Sequence, residues 1–125
     1  MTTEKLEKET EARIERDIAL FKKEYFENVR IRKIAKEWKY DIGEHNRLAL
    51  LQMSLFFDTG WKSTDGNSKK HYFELANGYL FNVQHNLNLM NDLNIIDNVT
   101  KAKFDMRVHA IEKQLMSLLS SLTKR

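Results

Sequence analysis

From Leu75 to Asn91 the chain carries no charged side chain. The segment around that run, residues 71–97 (HYFELANGYLFNVQHNLNLMNDLNIID), reads as a helix. Tyr72, Ala76, Tyr79, Leu80, Val83, Leu87, Met90 and Leu93 recur at helical spacing and form one apolar stripe. The opposite side holds Glu74, Asn77, Gly78, Phe81, His85 and Asn88. A solvated helix face ordinarily carries Lys, Glu and Arg, so amides, a glycine and an out-of-register phenylalanine predict that this side is covered as well. The rest of the chain is therefore expected to pack around this helix.

The surroundings are helical too. Among 125 residues there is no proline and there are four glycines, so little interrupts a helix, and the β-branched residues are too scattered to outline strands. An all-α fold follows, in one domain spanning 1–125. The absence of cysteine excludes disulfides and thiolate metal sites. No apolar run approaches the roughly 20 residues needed to span a bilayer, and the opening MTTEKLEKETEARIERD is charged rather than signal-like. A cytoplasmic protein that does not enter the membrane is expected.

Residues 4 to about 39 read as a long first helix, with Ile14, Ile18, Phe21 and Tyr25 on one stripe that shifts near Asn28 and continues through Ile31, Ala35 and Trp38. Its start, residues 1–12, is nearly all polar and is expected to fray for want of apolar surface. Asp41 is placed to cap a second helix running to about Asp58, with Thr59 and Gly60 as its stop. Residues 59–70 read as a loop around an Asp65-Gly66 turn. After the central helix, Asn94 to Asn98 make a corner, with Asp97 or Asn98 capping a last helix. There Phe104, Val108, Ile111, Leu115, Leu118 and Leu122 alternate steps of four and three. Four helices with short connections predict an antiparallel up-down-up-down four-helix bundle with a long first helix.

The second half of the chain, FELANGYLFNVQHNLNLMNDLNII (residues 73–96) and KFDMRVHAIEKQLMSLLSSL (residues 103–122), resembles a known four-helix-bundle family. That family comprises the accessory variability proteins of diversity-generating retroelements and the proteins encoded in 23S rRNA intervening sequences. The likeness lies in an L-A-N-like helix start, an L-x-x-x-x-D-L ending, a short corner and a heptad-like last helix, over about half the chain. The family's first two helices usually meet at a proline, which this chain lacks. The resemblance implies a homo-oligomeric ring, a basic surface for RNA or DNA, and a reverse transcriptase or ribonucleoprotein partner. It brings no catalytic residue.

Charge is unevenly spread: residues 22–39 and 101–125 each carry a net +4, whereas residues 1–17 carry −2. On the first helix Lys22, Phe26, Arg30 and Lys33 recur at four, four and three residues, with Lys23 adjacent, and Lys103 and Arg107 of the last helix extend the set if the two helices are neighbours. Cations that neutralise phosphates, beside an aromatic that can stack on a base, suit a sequence-tolerant nucleic-acid site. The plainer alternative is that these cations solvate the helix while Phe26 packs on another subunit.

Other chemistry finds little support. No Glu-x-x-His pair of the di-metal bundles occurs, and neither His71 with Glu74 nor Asp105 with His109 falls on a core-facing stripe, so no metal or cofactor is expected. Serine-nucleophile and phosphate-loop patterns are also missing, as is the R-x-x-x-x-H pattern of helical ribonucleases. The sequence points to a non-enzymatic, oligomeric accessory protein that binds nucleic acid or a nucleoprotein partner. The alternative is an adaptor or inhibitor, phage or mobile-element encoded, that docks onto a protein through the uncharged faces of helices two and three. Within either, Asn77, Gly78, Phe81, His85 and Asn88 form the expected contact face.

Overall fold

The computed structural model describes residues 3–29 and 42–124, and these form four helices: α1 (Thr3–Asn28), α2 (Ile42–Lys62), α3 (Gly66–Asp92) and α4 (Asn98–Thr123). The described residues contain no strand, and the helices pack as an all-α four-helix bundle. Each helix lies against the next and α4 closes back on α1; among the described residues the α2/α3 seam is the most extensive and the α1/α2 seam the least. Contacts pair late residues of one helix with early residues of the next, as antiparallel neighbours do. Tyr25 meets Gly43 and Lys22 meets Ser54; Phe57 stacks on Phe73 while Asn46 meets Asn86. Gln84 reaches Asp105 and Asn77 reaches Met116; Glu24 binds Arg107 and Glu7 binds Ser121.

The core forms where the periodicity places it. Ile14, Ile18, Phe21 and Tyr25 of α1 are buried, and so is every member of the α4 stripe from Phe104 to Leu122. Leu50, Met53 and Phe57 supply the α2 share, and Ala76, Leu80, Val83, Leu87 and Met90 the α3 share. The α3 stripe is rotated slightly from expectation. Phe73 is buried, Tyr72 and Tyr79 are half-buried against Phe56, and Leu93 is exposed. The two tyrosines line the α2/α3 seam instead, with ring centroids 6.4 and 5.3 Å from that of Phe56.

The α2/α3 connection departs from the sequence reading at both of its ends. α2 does not stop at Gly60: it continues to Lys62, and no glycine among the described residues has a positive φ. Gly60 is buried there because an added Cβ would stand 2.7 Å from the Phe73 ring, so it is needed for close approach rather than for a left-handed cap. The Asp65-Gly66 pair starts a helix instead of turning a loop. Asp65 is the α3 N-cap, accepting from the Ser68 and Asn67 backbone N–H groups at 3.2 and 3.4 Å, and α3 begins at Gly66. Those hydrogen bonds, led by the Ser68 hydroxyl, hold its carboxyl below the usual range. The connection therefore shrinks to residues 63–65. Lys69 closes it by donating to the Gly60 and Trp61 carbonyls at 3.3 and 3.1 Å, which places a cation on the C-terminal end of α2.

The α3/α4 corner is as expected, with Asp97 capping α4 through a 2.7 Å bond from the Thr100 N–H. Its tightness comes from Asn94, the one described non-glycine residue with positive φ (58°). Backbone bonds from Asn94 to Asn91 and from Ile95 to Met90 close the end of α3 around it, and Ile96 tucks into the core. At the other terminus, the expectation of fraying over residues 1–12 meets a helix that starts at Thr3. Glu7 and Glu11 are buried in it and continue the apolar stripe at steps of four and three. Lys69 binds both Glu11 oxygens at 3.2 and 3.3 Å, and the Ser121 hydroxyl donates to Glu7 at 2.8 Å. Burial still raises the Glu11 carboxyl above its ordinary range, with Lys69 pulling the other way. Val29 already lies outside α1, and the expected continuation through Ile31, Ala35 and Trp38, with the cap at Asp41, falls outside the described residues.

Candidate functional site

Two surfaces deserve comparison, one basic and one without charge. On the first, α1 and α4 are neighbours, as an extended basic stripe requires. The individual side chains are differently occupied. Lys22 donates to the Ser54 hydroxyl at 3.0 Å and so bridges α1 to α2. Arg107 forks onto the buried Glu24 carboxylate, with Nε at 3.0 Å from one oxygen and Nη2 at 2.8 Å from the other. That bidentate bond lowers the Glu24 pKa and raises that of Arg107, as a matched ion pair should. Lys23 and Lys103 are exposed, and Phe26 is 47% exposed with its ring edge-on to Tyr25. Arg30 and Lys33 lie outside the described residues. The stripe thus divides into two cations committed within the bundle and a smaller exposed set of Lys23, Phe26 and Lys103.

The uncharged surface lies on the other side of the bundle's most extensive seam. α3 turns Gly78, Phe81, His85 and Asn88 outward, and Phe81 is 74% exposed. The expectation that both sides of this helix are covered therefore fails for the single chain: its outer side is open. Asn77 is half-buried toward α4, where its amide reaches the Met116 sulfur at 3.8 Å. An alanine methyl at Gly78 would meet nothing within 4 Å, so within the chain this glycine is not required by packing.

α2 extends the surface. His45, Leu48, Ala49 and Gln52 face Tyr79, Asn82, His85 and Asn86 of α3 across an open groove. Leu48 and Leu55 are 49% and 57% exposed, and Leu89 of α3 is also exposed. Sequence reasoning named individual residues only for the α3 half of this face and gave the α2 half as the uncharged face of helix two, without its residues. The signal was present in LALLQMSLFF, which is apolar on more than half its circumference, although a bundle helix needs only one inward stripe.

Beneath the groove lies a polar layer. The buried Asn86 amide donates to Asn46 Oδ1 at 3.2 Å, Asn46 reaches the Met90 sulfur at 3.8 Å, and the Tyr25 hydroxyl donates to the Gly43 carbonyl at 2.6 Å. It ties α1, α2 and α3 together near one end of the bundle and fixes their register, because any slip would strand a buried amide.

His71, Glu74 and His109 are exposed, and Asp105 is engaged by Lys101 at 2.6 Å and Gln84 at 2.8 Å. Among the described residues no group of three or more His, Asp or Glu stands together as metal ligands would, and no helix is long and apolar enough to cross a membrane. Comparison with family models, with curated proteins and with solved structures finds no match to this chain, so the family resemblance rests on residues 73–96 and 103–122 alone.

Proposed function

We propose that this is a non-enzymatic interaction protein that works by presenting the outer α2/α3 face to another protein surface, in the first place a second copy of itself. The observation that carries the reading is that Leu48 and Leu55 of α2 and Phe81 and Leu89 of α3 are exposed apolar side chains in helix segments, residues 48–57 and 75–91, that include no charge. Apolar side chains left in water without neighbouring charge mark a contact surface. Its chemistry favours self-association. A charged partner face would find no counter-charge here, whereas Gln52, Asn82 and Asn88 each offer a donor and an acceptor, so the same face turned about a two-fold axis can satisfy them mutually. Phe81 is the natural anchor, and Gly78 beside it allows close backbone approach.

Light scattering of the wild type and of Phe81→Asp tests this. The wild type should exceed the monomer mass, and the aspartate should return it to monomer with helicity unchanged, because a charge would have to enter a dry contact. A wild-type monomer at high concentration, with Phe81→Asp folded and of the same size, removes the self-association reading.

A second reading, a nucleic-acid accessory role, draws support from the exposed aromatic Phe26 beside Lys23, with Lys103 exposed on the neighbouring helix. It predicts salt-dependent binding to generic RNA or DNA. Replacing Lys23 and Lys103 together by glutamine should flatten that salt dependence; an unchanged affinity and slope would refute the exposed set as a site. A ring assembly and a reverse transcriptase or ribonucleoprotein partner follow only from the family resemblance.

A further inference from the structure

His45 of α2 and His85 of α3 line the open groove, and both are exposed. They stand directly before Asn46 and Asn86, which are bonded to each other across the seam at 3.2 Å. Stepping back one residue from a facing pair, on two helices that meet late residue to early residue, turns both side chains to the same side of the seam. The two imidazoles therefore sit level on one outer face. The described lining of that groove holds no Asp, Glu, Lys or Arg. Charges around it are committed elsewhere or stand off. Glu44 is closed on Arg47 at 2.7 Å on α2, and Asp105 of α4 is held by Lys101 and Gln84. Asp92, the next carboxylate along α3, is seven residues from His85. From α1 the Tyr25 hydroxyl donates to the Gly43 carbonyl, and the other titratable side chain of the lining is the Tyr79 phenol. Phenols carry no charge where imidazoles titrate.

We infer that His45 and His85 make the pairing of two copies through this face reversible by acid, the contact holding while the imidazoles are neutral and opening when they take up protons. The inference rests on the self-association reading given above. A two-fold pair brings four imidazoles to one contact, and each that is protonated puts a cation against a copy of the same groove, whose described lining has no carboxylate to receive it. The sign follows from linkage: the separated chains bind protons more readily than the pair, so acid favours separation. A histidine with the ordinary pKa of about 6.5 that must be neutral in a complex weakens that complex about 10-fold between pH 7.5 and 5.5. One such imidazole per copy gives about 100-fold for the pair, and two per copy give about 10,000-fold.

Sedimentation equilibrium of the full chain at pH 7.5 and 5.5, with a chelator present so that no metal bridges the imidazoles, reads the Kd. The wild type should pair at pH 7.5 and lose about 100-fold or more of its affinity at pH 5.5, with helicity by circular dichroism unchanged. The double variant His45→Gln with His85→Gln, polar and uncharged at both pH values, should pair with a nearly level Kd, and His85→Gln alone should remove part of the change. A wild-type monomer at pH 7.5 overturns the self-association reading and the acid switch with it. A wild type that pairs with equal Kd at both pH values, or a double variant that keeps the full pH dependence, overturns the switch and leaves the pairing standing. Loss of helicity at pH 5.5 would mean that acid acts on the fold rather than on the contact, and overturns the switch as well. If the double variant does not pair at pH 7.5, the pH dependence of His85→Gln against that of the wild type decides.

Discussion

Replacing Gly60 by alanine should destabilise the protein even though alanine is the better helix former. In an open helical position the exchange is worth about 1 kcal/mol in favour of alanine. Gly78 is such a position, so Gly78→Ala should stabilise the isolated chain by about 0.5–1 kcal/mol. At Gly60 the new Cβ would stand 2.7 and 2.8 Å from two carbons of the Phe73 ring and 3.2 Å from the Tyr72 Cβ. Carbon atoms settle at about 3.5–4.0 Å, so the ring would have to retreat by about 1 Å. It has nowhere to go: Phe73 is fully buried and stacked on Phe57 with centroids 5.2 Å apart, and the Tyr72 Cβ moves only with its backbone. Overpacking of this kind costs about 1–3 kcal/mol, which exceeds the propensity gain and leaves a net loss of about 1 kcal/mol. For a domain of this size that is a fall of about 3–5 °C in Tm. Thermal and urea unfolding of the two variants, followed by far-ultraviolet circular dichroism, measures the contrast. The loss should shrink when Phe73→Leu is combined with Gly60→Ala, since the two sites share one contact. Should Gly60→Ala stabilise as much as Gly78→Ala, the close approach of α2 to α3 argued here is wrong.

Leu115 and Val83 are fully buried, so Leu115→Ala should cost about 2–5 kcal/mol and Val83→Ala somewhat less in urea unfolding; near-zero effects at both would contradict the stripe assignment. Asn46→Ala should cost about 1–3 kcal/mol because it leaves the buried Asn86 amide unpaired, whereas the double change of Asn46 and Asn86 to leucine should cost less than two such losses. A double mutant as unstable as the sum of the singles would show that the pair is not a unit. The Glu24 carboxyl, held low chiefly by its Arg107 hydrogen bonds, stabilises the fold above its unfolded-state pKa, and that contribution is lost as pH falls through its lower folded-state value. Glu24→Gln should therefore reduce stability at neutral pH by on the order of 1 kcal/mol and flatten the acid limb of the Tm profile; an unchanged acid limb argues against the pair.

What was legible in the sequence followed from periodicity. The α4 stripe is buried residue for residue because all six members are large and apolar, and nothing at those positions competes with the inward placement. The connections were harder because their residues have two uses. Asp-Gly marks a turn by the backbone freedom of glycine, yet the same aspartate caps a helix when the following N–H groups point back at it, as those of Asn67 and Ser68 do. Glycine after threonine suggests a helix end, yet Gly60 serves a contact with Phe73, which lies 13 positions further along the chain. Glu7 and Glu11 read as solvated charges, since the partners that allow their burial, Lys69 and Ser121, come from α3 and α4.

The uncharged run of α3 shows the same limit, because it combines two signals that a single sequence cannot separate. Part of it answers to the chain's own fold. Asn86 pairs with Asn46 in the core, Gln84 donates to Asp105 of α4, Asn77 reaches Met116, and Asn91 donates to the Ile96 carbonyl and to Asn98 across the corner. Those amides replace charges because they face neighbouring helices, where a lysine or glutamate would lose its water. The remainder, Gly78, Phe81, His85 and Leu89, lies outward and exposed. No intramolecular packing explains the choice of a phenylalanine that is 74% exposed, or of a glycine whose added methyl would touch nothing. Gly78→Ala separates the two signals in one variant. It should raise the Tm of the isolated chain, as any exposed helical glycine would, and weaken self-association if Gly78 lies where two backbones meet. A rise in Tm with unchanged assembly would place the contact elsewhere on the face, and a rise in both would mean that the glycine has no role in close approach.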